Sequence, residues 1–155
     1  MSSGPSTRFR IPDAEVRDLV VERVDESCIV QAPAGSGKTE LLTQRYLALL
    51  ATVDQPESVL AITFTRKAAS EMRIRILEAL DSAREHLQAE ELDAHKLRRR
   101  ELAQAVLKRD EQKKWRLLQN PMRLQIRTVD SLSDSIARQL QMLAGISSEL
   151  DVTED

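Results

Sequence analysis

The sequence predicts an α/β fold, a parallel sheet flanked by helices with a helical insertion, and three observations carry that prediction. Short β-rich apolar runs alternate with segments of helical periodicity, an order that favours parallel strands joined through crossover helices. A glycine-rich loop, Ala32-Pro-Ala-Gly-Ser-Gly-Lys-Thr39, sits at one junction between such a run and a helix. Between Asp81 and Gln119 the chain has neither glycine nor proline and is dense in Arg, Lys, Glu and Leu, which reads as one or two long helices.

In chain order, residues 1–12 read as a flexible lead, because Met1-Ser-Ser-Gly-Pro-Ser-Thr7 carries no apolar signal core. Val16, Leu19, Val20 and Val24 recur at helical spacing after the start signals Pro12 and Asp13, so a helix is expected over Asp13–Val24. Ser27–Ala32 is expected to be a strand, Lys38–Leu50 a helix, Val59–Phe64 a buried strand, and Lys67–Leu80 a helix with Ala68, Met72, Ile76 and Leu80 inward. Residues 13–80 thus form two βα units, 81–123 a charged helical insertion ended near Pro121, and 124–145 a return strand and helix. That last strand is read in Leu124–Val129, with Asp130 or Ser131 capping a helix that reaches Leu143 and stops at Gly145. Residues 146–155 are read as a frayed acidic tail.

A length of 155 residues suits one compact domain, and a net charge of −2 with 31% charged residues gives no global nucleic-acid signature. The lone Cys28 excludes an internal disulfide and, in its apolar run, is expected to be buried, which suits a reducing bacterial cytoplasm. No apolar stretch reaches membrane-spanning length. His86 and His95 have no cysteine partners at metal spacing and are assigned to the surface. Ten Lys or Arg and seven Asp or Glu fall between Arg84 and Arg116. They read best as the solvated faces of an amphipathic hairpin with Leu92, Leu102, Val106 and Leu107 inward; the alternative is a DNA-guiding arm on which Trp115 stacks.

The loop carries the chemistry. Polyphosphate binding needs converging backbone N–H donors, a mobile cation and a hydroxyl for magnesium at a strand-to-helix junction. Gly35 and Gly37 can take backbone angles closed to other residues, and the helix from Lys38 points its positive end at the loop. Lys38 is expected to reach the β and γ phosphates and Thr39 to hold Mg2+, so these two are the catalytic candidates. Ala32, Ala34, Gly35, Ser36, Gly37, Lys38, Thr39 and Glu40 make up the predicted nucleotide-phosphate site, and ATP as its nucleotide is what the resemblance described next implies.

Ile29-Val-Gln-Ala-Pro-Ala-Gly-Ser-Gly-Lys-Thr-Glu-Leu-Leu42, Leu60-Ala-Ile-Thr-Phe-Thr-Arg-Lys-Ala-Ala-Ser-Glu-Met72 and Arg127-Thr-Val-Asp-Ser-Leu132 together closely resemble the UvrD/RecB-like superfamily 1 DNA helicases. They look like motifs I, Ia and Ib of the first RecA-like motor domain, with RecB-like or AddA-like helicase-nuclease subunits the nearest likeness. The resemblance implies an ATP- and magnesium-dependent motor that translocates on single-stranded DNA. Its implied partners are the remaining motor domains and a second protein of the helicase-nuclease. It also implies DNA contacts at Thr63, Phe64, Thr65 and Arg66 in the second motif and at Thr128 and Ser131 in the third. Phe64 reads equally as a base-stacking group or as core.

The chain departs from the family pattern at three places. Asp130 stands where the family often has histidine, and an acid beside a phosphate track reads better as a helix cap. No clear adenine-reading glutamine precedes the loop; Arg17 falls near that spacing, but a solvated helix arginine is the preferred reading. No Asp-Glu pair follows Gly145. The expectation is therefore an incomplete motor domain that binds nucleotide without efficient hydrolysis. The other readings are a non-catalytic nucleotide- or DNA-binding module and a small P-loop phosphotransferase.

Overall fold

The computed structural model describes residues 13–84 and 94–143. The expected lead, the acidic tail, His86, Leu92 and the Gly145 stop lie outside the described residues. Five α-helices are present among the described residues: α1 (Asp13–Glu22), α2 (Lys38–Leu50), α3 (Arg66–Arg84), α4 (Ala94–Lys113) and α5 (Val129–Leu143). Two strands, β1 (Leu60–Thr63) and β2 (Gln125–Thr128), pair in parallel from Leu60 opposite Gln125 to Thr63 opposite Thr128. The helices of the crossover separate them in sequence, as a parallel pair requires.

Local chemistry sets the helix starts. Both strands run into a threonine that caps the next helix. The Thr65 hydroxyl accepts from the Ala68 amide at 3.1 Å, at the N-terminus of α3. The Thr128 hydroxyl accepts from the Ser131 amide at 3.2 Å, and the Ser131 hydroxyl accepts from the Thr128 amide at 3.1 Å, a reciprocal capping box for α5. The cap is thus Thr128, not Asp130 or Ser131. Asp130 lies in the first turn, where the helix dipole favours an acid. At the far end of α1 the Arg45 guanidinium, reaching from α2, donates to the carbonyls of Val20, Arg23 and Glu26. Of these, the Val20 carbonyl is one that the last turn of α1 leaves unpaired, and the other two belong to the chain that follows the helix.

The core lies between α2, α3, α4 and the covered face of the sheet, with Leu47, Leu50, Ile76, Leu80, Val106 and Ile126 among its buried residues. Ile76 and Leu80 point inward as the spacing predicts, and α3 continues through Arg84 rather than ending at Leu80. The second helix of the insertion is part of this core. Ala103 and Val106 are buried, Leu102 and Leu107 are partly buried against them, and Trp115 is only 2% exposed. The Trp115 indole N–H donates to the Asp54 carbonyl at 3.1 Å, so the tryptophan anchors the segment before β1 and is not a stacking platform. Asp54 also accepts from Lys113 at 2.8 Å and Arg109 at 3.0 Å, and Arg123 grips Glu57 at 2.6 Å. Those cations hold the carboxyls of Asp54 and Glu57 below their ordinary values.

Two expected features differ. Ser27–Ala32 is not a strand. A strand needs a partner about 5 Å away, whereas Cys28 and Val30 face β1 across an open, largely apolar groove of about 440 Å³. Cys28 is consequently exposed, not buried, and Ile29 is 98% exposed. The same groove leaves β1 covered on one face only: Ala61 packs on the core while Leu60 and Ile62 are 46% and 53% exposed.

Tyr46 closes the core beside β1, its hydroxyl donating to the Val59 carbonyl at 3.3 Å. Burial pushes this phenol above its ordinary value of 10.0. A raised folded-state value means the contribution to stability is whole below the unfolded value and is lost as pH rises past it. Urea unfolding should therefore show a loss of midpoint between about pH 9 and pH 11 that is smaller in Tyr46→Phe; equal losses in both proteins would remove Tyr46 from the alkaline transition.

Candidate functional site

The glycine loop is built as its sequence demands. Gly35 and Gly37 take φ of 76° and 79°, and α2 begins immediately afterwards at Lys38. A Cβ at residue 37 would also lie 3.2 Å from a guanidinium nitrogen of Arg17, the mobile end of a side chain, so it is the backbone angle that requires glycine there. Lys38 folds back over the loop, its ammonium donating to the carbonyls of Ala32 at 2.6 Å and Pro33 at 2.5 Å. The Ser36 hydroxyl oxygen is enclosed without a hydrogen-bond partner. The Nε atoms of Arg73 and Arg98 are in the same state. Thr39 is exposed at the start of α2, and its carbonyl accepts from the buried Thr43 hydroxyl at 2.9 Å. Glu40 is held at both oxygens, by Gln44 at 3.1 Å and by Arg99 at 3.0 Å.

Arg17 is not a solvated arginine. Its guanidinium donates to the Ser36 carbonyl at 2.5 Å, which joins α1 to the loop. The signal is present in the helical spacing: Arg17 sits four residues before Val21, which is 1% exposed, and so lies on the inward face of α1. Arg99 is not singled out by the sequence, and no local signal could find it, since it reaches Glu40 across 59 residues.

The second cluster lies at the carboxyl ends of the strands. Thr63 and Thr128 are paired neighbours in the final register position. Phe64 follows and is 89% exposed, outside the core described above. Arg66 is exposed at the start of α3, while the hydroxyls of Thr65, Thr128 and Ser131 serve the caps described above. Lys38 of the loop and Ile62 of β1 line the same groove, whereas Thr63, Phe64, Thr65, Arg66, Thr128 and Ser131 lie outside its lining. Among the described residues no group of His, Cys, Asp and Glu could hold a metal by itself, and no helix is long and apolar enough to cross a membrane.

With this geometry in view, the sequence profile of the UvrD/REP helicase N-terminal domain matches residues 14–155. The chain belongs to this UvrD/REP helicase family. Its mixed α/β architecture, with a small parallel sheet, is compatible with part of a RecA-like helicase domain. The chain is similar to an ATP-dependent helicase/nuclease subunit of Levilactobacillus brevis, 40% identical over 75 residues, which is 48% of this chain and 6% of that protein. It is also similar to the probable DNA helicase II homolog of Mycoplasma genitalium, 51% identical over 57 residues, 36% of this chain and 8% of that protein. A third relative is the ATP-dependent DNA helicase PcrA of Staphylococcus epidermidis, 44% identical over 72 residues, 46% of this chain and 9% of that protein. The matched stretch is thus less than a tenth of each of these UvrD/REP-type relatives. No solved structure matches the chain.

Proposed function

We propose that the chain binds ATP with magnesium at Ala32–Thr39 and contributes this site to an ATP-dependent DNA helicase or helicase-nuclease that translocates on single-stranded DNA. The observation that carries the reading is the loop itself: two left-handed glycines, a lysine ammonium parked on loop carbonyls, and an enclosed Ser36 hydroxyl without a partner. These residues fit a polyphosphate. Backbone amides of the loop and the first turn of α2 would donate to it, Lys38 would exchange two neutral carbonyl acceptors for charged phosphate oxygens, and Thr39 would offer its hydroxyl to Mg2+. ATP, when bound, supplies the phosphoryl group whose cleavage drives motors of this kind. Residues 13–80 and 124–145 would belong to the motor domain and 81–123 would be its insertion. The subunit designation of the L. brevis relative points to a second protein as partner.

Titration with Mg-ATP, Mg-ADP and adenosine tests the loop. Binding is expected for the two phosphorylated ligands and not for adenosine; equal affinity for all three would reject a phosphate-directed site.

Single-stranded DNA would run past the strand ends, with Thr63, Thr65, Thr128 and Ser131 near its phosphates, Arg66 supplying charge and Phe64 stacking on bases. Phe64→Ala is expected to weaken binding by about 1–3 kcal/mol, with no sequence dependence. Because Phe64 is 89% exposed, the melting temperature should hold. Fluorescence anisotropy and a thermal melt on the same variant decide it: unchanged DNA affinity would remove the stacking role.

A further inference from the structure

Part of the insertion's positive charge is solvated, Lys108 and Lys114 included, but two arginines at the start of α4 turn to α1 and to α2, the helix that follows the loop. Arg98 pairs with Glu22 of α1 at 2.6 Å, Gln44 of α2 donates to the His95 carbonyl at 3.3 Å, and Arg99 pairs with Glu40 of α2 at 3.0 Å. The last pair is partly buried, with the two side chains 31% and 25% exposed. Glu40 follows Lys38 and Thr39 directly, in the first turn of α2. A carboxylate there suits the positive end of a bare helix, but it opposes any polyphosphate brought to that same end.

We propose that Arg99 is a positioning residue for the phosphate loop: by pairing with Glu40 it neutralises the acid of the first turn of α2 and so sets the affinity for a polyphosphate. The proposal rests on the loop reading given above. The physical sequence is short. One oxygen of Glu40 is taken by Gln44 and the other by Arg99, so the carboxylate is held in place and its charge is balanced by a cation from an element far off in sequence. Without Arg99 the negative charge stays next to the loop in a partly desolvated position, where screening is weaker than in bulk water. The helical insertion would then tune nucleotide affinity without touching the nucleotide.

The test is Mg-ADP and Mg-ATP titration of the 155-residue chain and of Arg99→Met, Arg99→Lys, Glu40→Gln and the double variant Glu40→Gln/Arg99→Met, at low and high salt. Arg99→Met is expected to lose about threefold to tenfold in affinity at low salt, with the loss shrinking at about 1 M salt. Glu40→Gln should bind more tightly than the native chain, since Arg99 is then uncompensated. The double variant should return to native affinity or above, and Arg99→Lys should stay within about twofold. Lost packing alone would predict no rescue in the double variant and no salt dependence, and either result overturns the proposal. Should Arg99→Met fail to fold, the comparison of Glu40→Gln with the native chain still decides: equal affinity overturns it. Native affinity in Arg99→Met would reject the role of Arg99 by itself, whereas no binding by the native chain would reject the loop reading and this inference with it.

Discussion

Lys38→Ala is expected to lower Mg-ATP affinity by about tenfold to a hundredfold, taking hydrogen bonds to a charged partner as worth about 1.5–3 kcal/mol. The ammonium already lies at the loop, 2.6 Å from the Ala32 carbonyl and 2.5 Å from that of Pro33. Reaching a phosphate would require only a change of acceptor, not a rearrangement of α2. The backbone donors and both left-handed glycines survive the substitution, so some affinity should remain. The fold should survive as well, because the lost contacts join a partly exposed side chain to loop carbonyls, and their net worth is about 1 kcal/mol or less. Calorimetry beside a thermal melt separates the two effects, with Lys108→Ala, an exposed lysine on α4, as the charge control. Affinity within about threefold of native would take Lys38 out of the site.

Trp115→Ala should act in the opposite way, costing about 3–5 kcal/mol of folding stability. Against a total of about 5–15 kcal/mol for a domain of this kind, that is enough to leave a large unfolded fraction near body temperature. Two contacts would be lost together: the indole packs in the core beside α4 and the strands, and its N–H satisfies the Asp54 carbonyl at 3.1 Å, while the backbone carbonyl of residue 115 keeps its bond from Arg123. Asp54 and Glu57, the acids that grip Lys113, Arg109 and Arg123, belong to the same junction, so damage should spread to the start of β1. Urea unfolding measures the loss. A variant with native stability and weakened DNA binding would restore the stacking reading of Trp115 and overturn the structural one.

Legibility differs by element for physical reasons. The glycine loop can be read because its constraint is local: positive φ at Gly35 and Gly37 admits few other residues, and the helix that follows is marked by its own periodicity. The inward set of α3 is legible for the same reason, as Ile76 and Leu80 recur at helical spacing and both are fully buried. Ser27–Ala32 misleads because a β-rich composition states only a preference, and a strand exists through its partners; here the nearest strand lies across a groove. The apolar neighbours of Cys28 point to burial, and those of Phe64 suit core as well as stacking, yet both residues are exposed. For Cys28 the cause is that groove, which leaves one side of its segment uncovered.

By itself, then, the sequence determined the order of the helices, the strands at β1 and β2, the left-handed glycine loop ahead of α2 and the family likeness in three motifs, each set by residues within a few positions of one another. Only the tertiary structure decided that Arg17 clasps the loop, that Arg99 answers Glu40, that Trp115 is core, and that Thr128 rather than Asp130 caps α5. The first three are contacts between groups far apart in the chain, formed when α1, α2 and α4 pack. The cap turns on which residue ends β2, a boundary that pairing with β1 sets and that composition alone does not encode.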